Sequence, residues 1–196
     1  MSGSVGDNTA RASGVIASAG GGGAWNFISS TALDAATITV TGLDSTYDKY
    51  QFVLSNVHVD DENSGSQHVY ARAIQGGSPV TASSYEYGAT DIQSNGSSIN
   101  AYYDSGTDRF RICHNGTSVP TAEGLDITLD IYHPASTTTW LTAYWEKVGY
   151  SHDNRENINV GGGQLMTTAA TTGIQFLLAS GAFDGGNVRL YGLANS

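Results

Sequence analysis

The stretch TGIQFLLASGAFDGGNVRLYGL, residues 172–193, decides the fold. GIQFLLA, residues 173–179, carries the β-branched and aromatic side chains of a strand buried on both faces, and NVRLYGL, residues 187–193, is a second strand with clearer alternation. Between them Ser180-Gly181 and Asp184-Gly185-Gly186 supply positive-φ positions, which predicts that the chain reverses there and pairs the two strands with each other.

The same texture extends back along the chain. WNFIS (25–29) and TITVT (37–41) predict the first two strands, with Ile38 and Val40 on one face and the threonines on the other. YQFVLSNVH (50–58) is the longest early strand, and QHVYARAI (67–74) is its expected partner across the acidic loop DDENSG (60–65). RFRIC (109–113), LDITLDI (125–131) and TTWLTAYWE (138–146) add three more, of which LDITLDI alternates most cleanly. Residues 78–108 are polar and hold tyrosines without strong periodicity, so they read as a long connection, the kind that is often functional or ordered by a partner. Residues 149–157 read as an exposed polar loop, and the glycines at 161–163 as a bend or bulge where another backbone passes closely. About nine or ten short strands at this spacing predict an all-β protein, an antiparallel β-sandwich of jelly-roll type, and no internal repeat points to a solenoid or propeller.

Composition agrees with one such core. The chain has 196 residues with no break demanding two folded domains, 13% charged residues and 25 glycines, an all-β, turn-dense profile. Eighteen acidic residues face eight basic ones, for a net charge of −10, and Lys49 and Lys147 are the sole lysines, which argues against a nucleic-acid partner. No run approaches the ~20 apolar residues that span a bilayer, so no membrane partner is expected. Cys113 is the single cysteine, which excludes an internal disulfide. Residues 1–23 are polar and glycine-rich around one small apolar island at Val15 and Ile16. They cannot build a core of their own, which leaves a disordered tail or, as the preferred reading, an arm that orders along a neighbour, ahead of a domain covering 24–196.

Several side-chain constellations suggest chemistry and then fail on geometry. Asp126 and Asp130 share a strand face but lie roughly 13 Å apart at ~3.3 Å per residue, too far for a glycosidase pair. His58 and His68 would face each other across a hairpin, close enough to share a metal with Asp60 or Asp61, yet a third ligand in fixed geometry is not indicated, so no metal site and no cofactor is expected. Cys113 and His114 are adjacent on a strand and point to opposite faces, which does not make a nucleophile and base. No catalytic residue is therefore expected. The tyrosine-bearing segment is different: Tyr85, Tyr87, Tyr102 and Tyr103 stand among Ser, Gly and Asn, the chemistry of recognition loops, although the preferred reading is that these rings close the sandwich or pack between identical subunits.

The segments GGAW (22–25) leading to Ile28-Ser29, GLDSTYDKY (42–50), YHPASTT (132–138), IQF (174–176) and VRLYGL (188–193) together resemble bacteriophage virion proteins, the β-sandwich domains of tail fibres and capsid-decoration proteins. The resemblance spans residues 21–193 and rests on structural turns and strands. It implies a non-enzymatic, surface-exposed virion component, a decoration (cement) or small appendage protein assembled in the host cytoplasm, homotrimeric, and docked to other virion proteins by its arm through Val5, Arg11, Val15 and Ile16. A tail fibre carries a long shaft that a 23-residue arm does not supply, which favours decoration. The alternative it implies is a receptor-binding, lectin-like domain that recognises host surface glycans through Tyr85, Tyr87, Tyr102 and Tyr103.

Overall fold

A computed structural model describes residues 24–59, 68–94, 99–114, 124–151 and 155–194. The arm, with Val5, Arg11, Val15 and Ile16, lies outside the described residues. Thirteen strands and no helix make up the described chain: β1 (Trp25–Ala32), β2 (Thr37–Thr41), β3 (Lys49–Val59), β4 (Val69–Gln75), β5 (Ser78–Pro79), β6 (Tyr85–Gln93), β7 (Ile99–Thr107), β8 (Phe110–Cys113), β9 (Leu125–Tyr132), β10 (Leu141–Ser151), β11 (Arg155–Leu165), β12 (Thr171–Leu178) and β13 (Phe183–Leu193). They form two antiparallel sheets. The larger runs β1-β13-β3-β9-β10-β11-β6-β7, and the smaller runs β2-β12-β4-β5 with β8 also paired to β4.

The core lies between the sheets. Phe52 of β3 meets Phe176 of β12 edge-to-face at 5.5 Å, and Tyr85 of β6 meets Phe110 of β8 in the same way at 4.8 Å. Each ring pair joins one sheet to the other. Around them Leu54, Leu129, Trp145, Val188 and Leu190 are fully buried. Burial of large apolar side chains is the dominant stabilising effect, on the order of 1.5–3 kcal/mol each.

The two strands of the opening stretch do not pair with each other. β12 lies between β2 and β4 in the smaller sheet, and β13 lies between β1 and β3 in the larger. The short segment between them is a corner from one sheet to the other, with Gly181 at φ +71°. Gly185 and Gly186 belong to β13 itself, where its register with β3 shifts twice. A Cβ on Gly186 would sit 2.5 Å from the Asn56 carbonyl oxygen, and φ there is +97°. These glycines therefore serve a bulge where two backbones press together, and a turn and a bulge ask for the same residue type.

The expected β3–β4 hairpin is likewise replaced by a crossing: β3 pairs with β13 and β9, while β4 pairs with β12, β5 and β8. Nor is 78–108 a long connection, because it holds β5, β6 and β7. Of the segment 149–157, residues 149–151 extend β10 and residues 155–157 open β11. The glycines of β11 keep an unbroken register with β10 and β6, so no bulge forms there, but the close approach expected of them is present. A Cβ on Gly161 would lie 2.6 Å from both Ala89 and the Trp145 indole.

Candidate functional site

The segments that carry the resemblance converge at one pole of the sandwich. Asp44 accepts hydrogen bonds from the Thr46 N–H at 2.7 Å and the Tyr50 hydroxyl at 2.6 Å, closing the 42–50 turn. The amides of Gly42 and Leu43 donate to the Thr172 carbonyl, the His133 amide donates to the Asp48 carbonyl at 2.7 Å, and the Thr171 amide donates to the Pro134 carbonyl at 2.8 Å. The Tyr47 ring lies against Gly192, where any Cβ would overlap it. Lys49 sits over the Trp25 and Tyr132 rings and pairs with Asp130 at 2.7 Å. Every one of these groups is engaged in holding strands together, so the pole is structural.

The outward face of the larger sheet has a different character. Strand register places Ile99, Ile92, Ile158 and Val148 directly beside one another across β7, β6, β11 and β10. All four are open, at 68%, 44%, 42% and 45% exposure. The neighbouring inward positions are the reverse of a core: Asn100, Asp91, Asn159 and Lys147 lie side by side in the same four strands, and the last three are buried. At this end the sheet is apolar outside and polar inside.

Most of the inner polar row is matched from within, although Asn157 Nδ2 and His114 Nδ1 make no hydrogen bond among the described residues. Lys147 donates to the Asn157 side chain at 2.8 Å, the Trp145 indole N–H donates to Asn159 at 3.1 Å, and Asn159 in turn donates to the Tyr102 hydroxyl at 2.7 Å and the Thr90 carbonyl at 2.8 Å. Burial pushes the Asp91 carboxyl up, but the polar His114 and Asn157 side chains beside it and the Lys147 charge outweigh it and hold the group below 3.8. The His114 ring stacks between Tyr102 at 4.5 Å and His68 at 5.2 Å, capping the row from the smaller sheet's side. A charge this deeply buried costs several kcal/mol unless partnered, so the row is a structural network.

Four residues along the strands from the apolar row, the same outward face opens into a trough. Gly88 and Gly162 pair across β6 and β11 and form its floor, with Tyr103 beyond Gly88 on β7 and Tyr144 beyond Gly162 on β10. Glu86, Ser105 and Gln164 close one end of this depression of about 410 Å³. A second depression of about 410 Å³, bounded by Trp140, Thr142 and His133, meets it at Gln164. Tyr103 is 87% exposed.

The four tyrosines expected to act together are separated. Tyr85 is fully buried: its hydroxyl accepts from the Ala73 N–H at 3.0 Å and donates to the Val80 carbonyl at 3.1 Å, and burial pushes its pKa up to about 12. Tyr87 is buried against Trp145 and Tyr102, and burial raises it to about 12 as well. Tyr102 is packed against the core and its hydroxyl serves Asn159. Only Tyr103 presents its ring outward, because alternation along β6 and β7 turns the other three inward. Trp140, just before β10, and Tyr144 on β10 are exposed on this side of the sheet, and the strand pattern of 138–146 does not mark them. Nothing in the letters marks Gly88 and Gly162 as neighbours, since 74 residues separate them.

The remaining candidates are also placed. His58 lies opposite Gly185 in the larger sheet, while His68 precedes β4 in the smaller, so they are not hairpin partners. No group of three or more His, Cys, Asp or Glu side chains suited to a metal occurs among the described residues. Asp126 accepts from the Asn56 N–H at 2.8 Å, and Asp130 is held by Lys49 and by Gln51 at 2.9 Å, so each carboxylate has its own structural duty. Cys113 is buried, and its burial pushes the thiol up, away from nucleophilic chemistry. No family model matches the chain, and neither a curated protein nor a solved structure matches it.

Proposed function

We propose that the chain is a non-enzymatic structural subunit of a bacteriophage particle, a decoration or small appendage protein that docks to other virion proteins through residues 1–23 and assembles as a homotrimer. The observation that carries this reading is the reversed patterning of β7, β6, β11 and β10. A row of exposed Ile99, Ile92, Ile158 and Val148 over a buried polar row is costly in a monomer and suits a sheet whose outer face is covered in an assembly. The motif segments support it from a second side, because at the structural pole they act as strand and turn contacts and leave no side chains aimed at a reaction. Decoration of a particle is a task for such a rigid, face-presenting domain.

The test is incorporation. Particles grown with a variant lacking residues 2–20 are separated on a density gradient, and the variant should remain at the top as a folded soluble domain while the full chain sediments with particles. Normal incorporation of the shortened chain would overturn the docking role of the arm.

A further inference from the structure

We infer that Lys147 and Asn157 become joined by an isopeptide bond that the folded chain makes by itself, with Asp91 as the proton carrier. Register sets Lys147, Asn159 and Asp91 side by side across β10, β11 and β6, and Asn157 is the next inward residue of β11, diagonal to both Lys147 and Asp91. Lys147, Asn157 and Asp91 are 1%, 0% and 0% exposed. The Lys147 Nζ lies 2.8 Å from Asn157 Oδ1 and 3.5 Å from the Asn157 backbone oxygen. The carbon it would attack is one bond beyond Oδ1, so amine and acyl group are already held in contact.

Two features set this contact apart from an ordinary ion pair. The first is the partner. Lys49, the chain's other lysine, is part-exposed and pairs with the Asp130 carboxylate at 2.7 Å. Lys147 is aimed at an amide instead, a weak partner for a cation taken out of water but an acyl group for an amine, and acylation would remove the buried charge. The second is the Asn157 Nδ2, which is buried and makes no hydrogen bond among the described residues. Buried polar atoms are nearly always paired, so an orphan amide nitrogen calls for an explanation, and this is the atom that would leave. Against the effect of burial, the Asn157 side chain and the Lys147 charge help to hold the Asp91 carboxyl below its ordinary value, so it is ionised and able to take a proton.

The reaction balances without an oxidant or a cofactor. The Lys147 ammonium passes one proton to the Asp91 carboxylate, and the lone pair of the resulting amine forms the Nζ–Cγ bond to Asn157. Asp91 hands its proton on to Nδ2, the Cγ–Nδ2 bond breaks, and the leaving ammonia takes a second Nζ proton and departs as ammonium. The third Nζ proton stays on the new amide, and Asp91 is again a carboxylate. Burial of all three side chains keeps water from competing for the acyl carbon. The product ties β10 to β11 in a chain whose single cysteine allows no internal disulfide. It requires neither a particle nor a ligand, so it stands or falls apart from the particle role.

Intact-mass spectrometry of the purified full chain, held at neutral pH until its mass is constant, tests the bond. The chain, counted with or without Met1, should weigh less than its sequence by one ammonia. Trypsin should leave Lys147 uncut and yield a branched peptide in which the segment ending at Arg155 is joined to the one beginning at Glu156. Lys147→Arg, Asn157→Ala and Asp91→Asn should each show the full mass of its own sequence. Full mass in the parent chain would overturn the proposal, whether or not the variants fold. So would an ammonia loss that mapped to Asn95-Gly96 or Asn115-Gly116, where a succinimide forms without a lysine, or one that persisted in Lys147→Arg or Asp91→Asn.

Discussion

Tyr85 shows what one hydroxyl can do in a sandwich. It bridges the Ala73 amide and the Val80 carbonyl, tying β6 of the larger sheet to the β4–β5 hairpin of the smaller, whose two-residue turn is made by Gly76 and Gly77 at φ +59° and +80°. Tyr85→Phe keeps the ring against Phe110 but strands a buried N–H. It should cost about 1–3 kcal/mol in urea unfolding. Tyr103→Ala should leave stability unchanged in the same measurement, since its ring is almost wholly in solvent. Sequence reasoning grouped these residues because they share composition. What divides them is strand parity, which can be read only once β6 and β7 are recognised as strands.

That recognition fails for a physical reason at the level of the element. β6 and β7 alternate, but near Ile92 and Ile99 the apolar side chains face out and Asp91 and Asn100 lie on the inward side, so hydrophobic periodicity gives no stripe that matches a core. β2 and β9 are legible because their apolar sets face one core, and β12 because it is apolar on both faces, with Ile174, Phe176 and Leu178 in the core and Leu177 buried on the other side. The pairing of β12 with β13 was misread because glycines at a bulge look like glycines at a turn. Within β11, by contrast, glycine does mark a close approach. Gly161→Ala would drive a methyl group into Ala89 and the Trp145 ring, and should destabilise the protein by about 1–3 kcal/mol, whereas Gly88→Ala in the adjacent strand should be close to neutral in the same thermal or urea measurement. The trough was illegible altogether, because its floor depends on the register between β6 and β11 and its walls on β7 and β10.

For the whole molecule, the two sheets are joined at one end by a column of titratable groups, and this makes stability depend on pH. Burial, aided by the charges of Arg111 and His114, lowers the His68 pKa from 6.5 to about 4, with Tyr70 packed edge-on at 6.0 Å. The unfolded chain therefore binds more protons than the folded one between those values, and stability should fall as pH drops from about 6.5 to about 4. Asp91, held below 3.8 by its partners against the effect of burial, adds stability that is present above that value and is lost only as pH falls further. Urea unfolding at stepped pH should show the first loss, and His68→Gln should flatten it. Nothing in the letters joined His68 to His114, because the two strands that bring them together pair across a gap of some 40 residues.

Particle membership is tested most directly by location. An antibody raised against residues 24–194 of the folded chain, applied to purified phage particles and viewed by electron microscopy after gold labelling, should decorate intact particles at regular positions on the head or at a fixed point on the tail. Unlabelled particles, with all of the protein left in the soluble lysate, would contradict the account.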